Sequence, residues 1–289
     1  MSVTDRPRFA PDWLALREPA DAAARAVGLL DPLFGHLGLH GPRQETVLVV
    51  RDLGCGSGSM GRWLAPRLRG PQHWVLHDHD AGLLGLAAAR MPRTGADGGR
   101  VTVSFRQGDI GRLTAAELSG TGLVTASALL DLLTRDEVDG LAAACAGAGC
   151  PVLLALSVAG RVELTPADPL DGAIGGAFND HQRRLDRGRR LLGPDAVAAA
   201  RRLFADRGMD VRVHASPWRL GGAGDSALTA QWLRGWVGAA REQRPDLAPR
   251  ATAYLRRRLE ACEAGELRVV VHHHDVLALP VPAPAGATV

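Results

Sequence analysis

The sequence predicts an α/β fold in which a mostly parallel β-sheet carries helices on both faces. The first observation is the run Val47–Leu53, whose aliphatic residues are typical of a strand buried on both faces of a parallel sheet. The second is that glycines end this strand abruptly and a helix follows them. The third is that strand-like and helix-like segments alternate along the rest of the chain. A chain of 289 residues with 46% hydrophobic residues fits one elaborated domain, spanning residues 1–289.

The composition of the chain argues against a nucleic-acid-binding protein and against a membrane-spanning protein. The formal net charge is +3 and the arginines are interleaved with Asp and Glu, so no nucleic-acid partner is expected. Lysine is absent, which is typical of a GC-rich bacterial genome. The N-terminus lacks an apolar signal core, and no stretch approaches the roughly 20 apolar residues of a membrane span. The four cysteines show neither metal-type nor disulfide-type spacing, so we expect a cytoplasmic protein with a small-molecule partner. The sequence is compatible with a monomer and with a homodimer.

The loop after the first strand predicts a nucleotide-type cradle. Asp52 lies at the strand tip and is followed by Gly54, Cys55, Gly56 and Gly58. Glycines let backbone N–H groups approach a ligand closely, and the helix N-terminus behind them favours electron-rich groups. The loop also satisfies the dinucleotide pattern G-x-G-x-x-G. The carboxylate of Asp52 decides between the ligands, because it would repel the pyrophosphate of NAD and suits the ammonium of S-adenosylmethionine (SAM).

The series Asp52-x-Gly54-x-Gly56-x-Gly58 resembles the first motif of class I SAM-dependent methyltransferases. This resemblance implies SAM as cofactor and a Rossmann-like sheet of seven strands, six parallel and one antiparallel. It covers roughly residues 40–215 in motif order and a final strand. The two large insertions and the lack of an Asn-Pro-Pro-Tyr tetrad depart from the family pattern, and the missing tetrad argues against amino-group methylation of DNA or glutamine.

A helix is predicted from Glu18 to Leu37, before the first strand. In methyltransferases of this type such a helix packs over the cofactor pocket. Arg17 or Arg25 would then meet the SAM carboxylate; the alternative is that both are ordinary surface arginines.

The second predicted strand, His73–His77, ends at a second acidic site. Asp78 lies 20 residues after Gly58, the spacing at which an acidic residue binds ribose hydroxyls in nucleotide-binding folds. His79 is expected either along the adenine or as a cover of the strand end. The next helix is predicted at residues 81–90.

The third and fourth predicted strands complete the cofactor motifs. Strand Val101–Phe105 leads into Asp109 and Ile110, which resemble the family's third motif, where a carboxylate accepts a hydrogen bond from the adenine amino group. Strand Leu123–Ser127 ends at the carboxyl edge of the sheet, where the cofactor is expected, and we therefore expect Ser127 to contact the cofactor. A capping box at residues 134–137 starts the next helix.

The remaining strands are predicted at residues 151–157, 211–214 and 267–273, with a helix at 194–208 between the first two. Between these elements lie two insertions, Val158–Gly193 and Ser216–Gly265. Both start or end at the carboxyl edge of the sheet, where ligands bind in such folds. We therefore expect them to form a helical cap over the site, with helices at 227–241 and 247–264.

Three residues are candidates for a catalytic base, which is needed only if the acceptor carries a proton. They are Asp131, after the fourth strand, His181, in the first insertion, and Tyr254, in the second; His181 is favoured because its ordinary pKa lies near neutrality. No metal is expected, because successive residues of the run His272–Asp275 point to opposite faces of a strand.

Three functions fit these observations. The first is methyl transfer from SAM to a small molecule. The second is consumption of SAM itself, by cyclisation to aminocyclopropane carboxylate with release of methylthioadenosine. The third is SAM binding without turnover. Polar insertions over the site favour an enzyme, and the higher demand that cyclisation places on a base favours transfer.

Overall fold

The computed structural model describes residues 10–41, 45–108 and 113–281 of the chain. The strands are β1 Leu48–Leu53, β2 Gln72–Asp78, β3 Val101–Gln107, β4 Leu123–Ser127, β5 Val152–Thr165, β6 Leu185–Asp186, β7 Arg189–Arg190, β8 Met209–Ala215, β9 Trp218–Leu220 and β10 Arg268–Pro280. The α-helices are α1 Pro11–Ala24, α2 Leu30–His36, α3 Ser59–Leu64, α4 Ala81–Arg90, α5 Arg135–Gly147, α6 Asp171–Gln182, α7 Ala196–Ala205, α8 Ser226–Gln243 and α9 Ala248–Glu263.

The main sheet has eight strands in the order β3-β2-β1-β4-β5-β10-β8, and β9 also pairs with β10. Strands β1 to β5 pair in parallel, and β10 is antiparallel to β5, β8 and β9. The predicted set of six parallel strands and one antiparallel strand is thus confirmed. The eighth strand, β9, follows β8 along the same edge of β10. Its three residues are too few to show strand alternation in the sequence.

The N-terminal helix differs from its prediction. α1 begins at Pro11, well before Glu18, and it ends at Ala24 instead of continuing to residue 37. Arg25 has an extended backbone with ψ 134°, and the N–H of Ala26 donates to Asp275 Oδ2 at 2.8 Å. This hydrogen bond to a distant strand stabilises the break, and local periodicity gives no sign of it.

The two insertions contain both predicted helices, as α8 and α9, and also a further helix and strands that were not predicted. Residues 158–165 continue β5 as a strand, because they pair with β10 in a ladder that includes Val271↔Val162 and Val269↔Leu164. The rest contributes α6, the β6–β7 hairpin, β9, α8 and α9. Their apolar side chains form a hydrophobic core of their own against α1, in which the rings of Trp232 and Trp236 stack at 5.1 Å. The two tryptophans are therefore core residues.

No helix within the described ranges is long and apolar enough to cross a membrane.

Candidate functional site

A cavity lies at the carboxyl edge of β1, β2 and β4. Four regions enclose it: α1, the glycine loop after β1, the segments that follow β2, β3 and β4, and the β6–β7 hairpin with its flanking residues. The lining residues are Leu14, Arg17, Asp21, Gly54, Cys55, Gly56, Ser57, Ser59, Asp78, His79, Leu83, Gly108, Ser127, Ala128, Leu129, Leu132, Leu133, Arg184, Asp186, Arg189 and Leu191. Segments that are far apart in the sequence therefore meet around one space.

The glycine loop requires its glycines. Gly54, Gly56 and Gly58 have φ values of 62°, 53° and 88°, in the left-handed region that other residues rarely adopt. A Cβ at Gly54 would lie 3.0 Å from Leu129 Cδ1, and one at Gly58 would lie 3.1 Å from Ala87 Cβ. The loop can therefore pass close to a ligand without side chains, as the sequence predicts.

Cys55 belongs to this loop and lines the cavity. Its N–H donates to His77 O at 2.9 Å, and its carbonyl accepts from the N–H of Gly58 at 2.9 Å. Burial raises the pKa of the Cys55 thiol. The thiol is therefore a neutral part of the cavity wall.

Asp78 ties the loop to the end of β2. Its Oδ2 accepts from the N–H of Gly56 and its Oδ1 from the N–H of Asp80, both at 2.9 Å, and the residue is 6% exposed. His79 Nδ1 lies 3.3 Å from Asp78 Oδ1. Each carboxylate oxygen has two lone pairs, so Asp78 can still accept from ligand hydroxyls. The geometry is compatible with the predicted ribose contact.

Asp52 lies beneath the loop and does not line the cavity. It is 0% exposed, and Thr125 Oγ1 donates to its Oδ1 at 2.8 Å. Its Oδ2 has no hydrogen-bond partner within the described part of the chain. Burial raises the pKa of Asp52 to about 7, although Thr125 and Arg25 oppose the shift. The structure therefore does not support the predicted direct contact between Asp52 and the ammonium group of SAM. Asp52 can attract that group only electrostatically, across the loop.

Arg25 is a buried cation behind the cavity wall. It is 2% exposed, and its Nη2 donates to Ser59 Oγ at 3.0 Å and to Ser127 Oγ at 3.2 Å. Both serines line the cavity. Its Nε and Nη1 have no hydrogen-bond partner among the residues described. Burial lowers the pKa of Arg25, whereas Asp21 and Asp275 raise it. The alternative of a surface arginine is therefore wrong for Arg25.

Arg17 lines the cavity directly, and its charge is compensated. Its Nε and Nη2 donate to the two carboxylate oxygens of Asp21 at 2.9 and 3.1 Å. The guanidinium lies 5.0 Å from the ring centroid of Trp218, whose Nε1 donates to Asp21 Oδ1 at 3.0 Å. This network attaches α1 to β9.

Asp131 lies in a short 3-10 turn, Leu130–Leu132, directly after β4. Leu129 and Leu132 line the cavity, whereas Asp131 does not. Burial raises the pKa of Asp131, and nearby Arg17 opposes this shift. Asp131 is thus at the border of the cavity.

The other two candidate bases lie outside the cavity lining. His181 Nε2 lies 3.2 Å from Glu242 Oε2, in a contact between α6 and α8; burial lowers the pKa of His181, and Glu242 opposes the shift. Tyr254 is 0% exposed, and its hydroxyl donates to Asp171 Oδ1 at 2.6 Å in the core of the inserted segments. The structure therefore does not bring His181 and Tyr254 to the site as predicted.

Asp109 and Ile110, the predicted adenine contacts, lie outside the described residues. Gly108, the residue before them, lines the cavity.

The sequence reasoning missed the β6–β7 hairpin. Arg187 and Gly188 have φ values of 52° and 79°, typical of a tight two-residue hairpin turn. Arg189 donates to Glu137 through Nε at 3.1 Å and through Nη2 at 2.6 Å, and its Nη2 also lies 3.2 Å from Leu132 O. The dipeptide Arg187-Gly188 is the only local signal for this turn in that segment. Nothing local indicates that the hairpin would bind α5.

The structure gives the histidine run no convergent metal ligands. No group of three His, Cys, Asp or Glu side chains suited to a metal ion occurs within the ranges described. His272 Nε2 contacts Glu163 Oε1 at 2.8 Å, and His273 is buried beside Trp218.

Comparisons with known proteins agree with this architecture. The profile of the family described as "Methyltransferase domain" matches residues 50–148, from β1 to the end of α5. No curated protein sequence matches the chain. A solved structure of loganic acid methyltransferase with S-adenosylhomocysteine (SAH) is 13% identical, covers 94% of this chain and 95% of its own, and has a TM-score of 0.53.

Two further solved structures show lower similarity. The cyclopropane synthase MmaA2 from Mycobacterium tuberculosis is 12% identical over 93% of this chain and 94% of its own, with a TM-score of 0.45. A SAM-dependent methyltransferase from Geobacter sulfurreducens in complex with SAH is 18% identical over 94% and 99%, with a TM-score of 0.43. The first similarity and the sheet order together identify a Rossmann-like methyltransferase fold.

Proposed function

We propose that the protein transfers the methyl group of SAM to a small-molecule acceptor. The observation that carries this proposal is the cavity itself, in which the glycine loop and Asp78 share one space with a leucine-rich wall. Fold alone does not give the acceptor. The family match over residues 50–148 supports the reaction class.

The chain's own residues account for the parts of SAM. The glycine loop approaches the nucleoside, and Asp78 accepts from the ribose hydroxyls. Arg25, with two donor nitrogens that lack described partners, attracts the carboxylate of the amino-acid tail from behind Ser59 and Ser127. When bound, SAM supplies a methyl group activated by the sulfonium.

The apolar part of the cavity wall suits an acceptor. It includes Leu132 and Leu133 after β4 and Leu191 beside the hairpin, whereas Leu14 and Leu129 lie against the glycine loop. Such a wall excludes water and aligns the nucleophile, the two effects that this displacement needs most. Among the three predicted bases we retain Asp131 for acceptors that carry a proton, because it borders the cavity and its raised pKa makes it a stronger base.

The inserted segments 158–193 and 216–265 act, in this proposal, as a cap on a single domain. We place the protein in the cytoplasm, as a monomer or homodimer, with no nucleic-acid partner. The four free, buried cysteines support a reducing compartment.

The test combines binding and product analysis. Calorimetry should show SAH binding in the micromolar range and no binding of NAD. Purified protein should leave SAM intact in mass spectrometry until an acceptor is supplied, and SAH should then accumulate. Methylthioadenosine formed from SAM alone at an enzymatic rate would replace this proposal by the cyclisation alternative.

A further inference from the structure

Arg184 differs in its charge environment from the other two arginines that line the cavity. Arg17 is bound by Asp21, and Arg189 is bound by Glu137. Arg184 donates through Nη1 to His181 O at 3.0 Å, and the same nitrogen lies 3.4 Å from His181 Nδ1. It forms no ion pair with a carboxylate in the described part of the chain. Among the three arginines of the cavity wall, Arg184 is therefore the one whose guanidinium is not held by a described carboxylate.

The carboxylate of the hairpin, Asp186, contacts Arg189 and forms no ion pair with Arg184. Asp186 lines the cavity, but its Oδ2 lies 3.9 Å from Arg189 Nη1. Arg189 thus lies between two carboxylates, those of Asp186 and Glu137. Arg184 therefore keeps donor groups that no described carboxylate occupies.

Arg184 also lies beside the apolar wall. The N–H of Leu191 donates to Arg184 O at 3.3 Å, so the two residues are neighbours at the base of the hairpin. Leu191 and the leucines after β4 line the same cavity. A charge next to an apolar surface interacts more strongly with an opposite charge than it would in water.

We propose that the acceptor has an apolar body and an anionic group, and that Arg184 binds the anionic group. This inference rests on the proposed function and names the chemical class of its substrate. The guanidinium offers Nε and Nη2, which are not used by any described contact, as a planar pair of donors. The leucine wall contacts the apolar body.

The experiment uses two matched probes on the full chain, with and without saturating SAH. One is anilinonaphthalene sulfonate, an apolar anion; the other is phenylnaphthylamine, the same ring system without the sulfonate. Fluorescence titration measures the dissociation constant and stoichiometry of each. The variants are Arg184→Gln, Arg184→Lys and, as control, Arg183→Gln. Arg183 is the adjacent residue, does not line this cavity, and is bound to Asp195.

We expect the wild type to bind one sulfonate probe about tenfold more tightly than the neutral probe, the range for a charge-assisted hydrogen bond that is partly exposed. Arg184→Gln should abolish this preference, and Arg183→Gln should leave it unchanged. Arg184→Lys should keep only part of it, because the ammonium retains the charge and loses the planar pair of donors. Unfolding curves check that each variant is folded. Equal binding of the two probes by the wild type, or an unchanged preference in Arg184→Gln, would overturn the inference.

The proposed function fails separately. If calorimetry shows no SAH binding to the wild type, SAM-dependent transfer is wrong, whatever the probes do. If SAH binds to the wild type and to Arg184→Gln alike and the anion preference is absent, the transferase proposal stands and the acceptor class is wrong.

Discussion

Replacing Asp78 by Ala should weaken SAH binding more than any other single change at the glycine loop. Asp78 holds the N–H of Gly56 and that of Asp80, each at 2.9 Å, in a nearly buried position. The variant would release both donors and would remove the acceptor that we assign to the ribose hydroxyls. The perturbation therefore changes the loop conformation and the ligand contact together.

The magnitude follows from the hydrogen bonds lost. A hydrogen bond to a charged group contributes roughly 1.5–3 kcal/mol, and a buried donor left without a partner costs roughly 1–3 kcal/mol. The hydrogen bonds to Gly56 and Asp80 are present without ligand, so part of the lost free energy lowers the stability of the ligand-free protein and only the rest lowers the SAH affinity. We expect the SAH dissociation constant to rise about 10- to 100-fold, and the free energy of unfolding to fall by about 1–2 kcal/mol.

Asp80→Ala is the matched control. Asp80 caps α4, because its Oδ1 accepts from the N–H of Gly82 at 2.8 Å and of Leu83 at 3.2 Å. Losing this cap should cost about 1 kcal/mol of stability and leave SAH binding nearly unchanged. Calorimetry and urea unfolding measure the two quantities. An SAH affinity that is unchanged in Asp78→Ala, or lowered equally in both variants, would refute the ribose assignment.

Three further changes test other parts of the structure. Burial raises the pKa of Asp52 from 3.8 to about 7, so the neutral carboxyl stabilises the fold at low pH and this contribution is lost as pH rises through about 7. The free energy of unfolding of the wild type, measured by urea titration relative to Asp52→Asn, should therefore fall by about 2–3 kcal/mol between about pH 5 and about pH 8. A constant difference would contradict that pKa. Arg189→Ala removes the bidentate contact with Glu137, and hydrogen exchange measured by mass spectrometry should become faster in the β6–β7 hairpin while α4 stays as it was. Tyr254→Phe removes the hydroxyl that donates to Asp171 and should lower stability by about 1 kcal/mol, with SAM turnover unchanged; a large fall in turnover would restore Tyr254 as a catalytic candidate.

The sequence predicted those parts of the site whose signals are local. The glycine loop can be recognised because three glycines at alternate positions after a strand are typical of a nucleotide-binding loop. Asp78 can be recognised because it follows Gly58 at the spacing typical of one βαβ unit. The helix at residues 81–90 and the capping box of Thr134 and Glu137 were predicted with their correct positions for the same reason. Each depends on contacts within a few residues or on one strand-to-strand step.

The parts that sequence reasoning missed depend on distant partners. The break after α1 is stabilised by a hydrogen bond between Ala26 and Asp275, 249 residues apart. The hairpin is held by Arg189 and Glu137, 52 residues apart. His181 was predicted as a base because it lies among polar side chains. Packing between α6 and α8 places it against Glu242 instead, and sequence periodicity does not contain that information.

The two outer walls of the cavity, α1 and the β6–β7 hairpin, differ in how firmly they are held. α1 packs Trp13 and Leu16 into the core of the inserted segments and is also attached through Asp21 to Trp218. Among the residues that the structure describes, the two hairpin strands pair only with each other and not with the main sheet, and Leu185 is 61% exposed. Opening the hairpin therefore exposes less apolar surface and costs less free energy than moving α1. We expect the acceptor to enter past the hairpin, where an anionic group would meet the Arg184 guanidinium before the apolar body reaches the leucine wall.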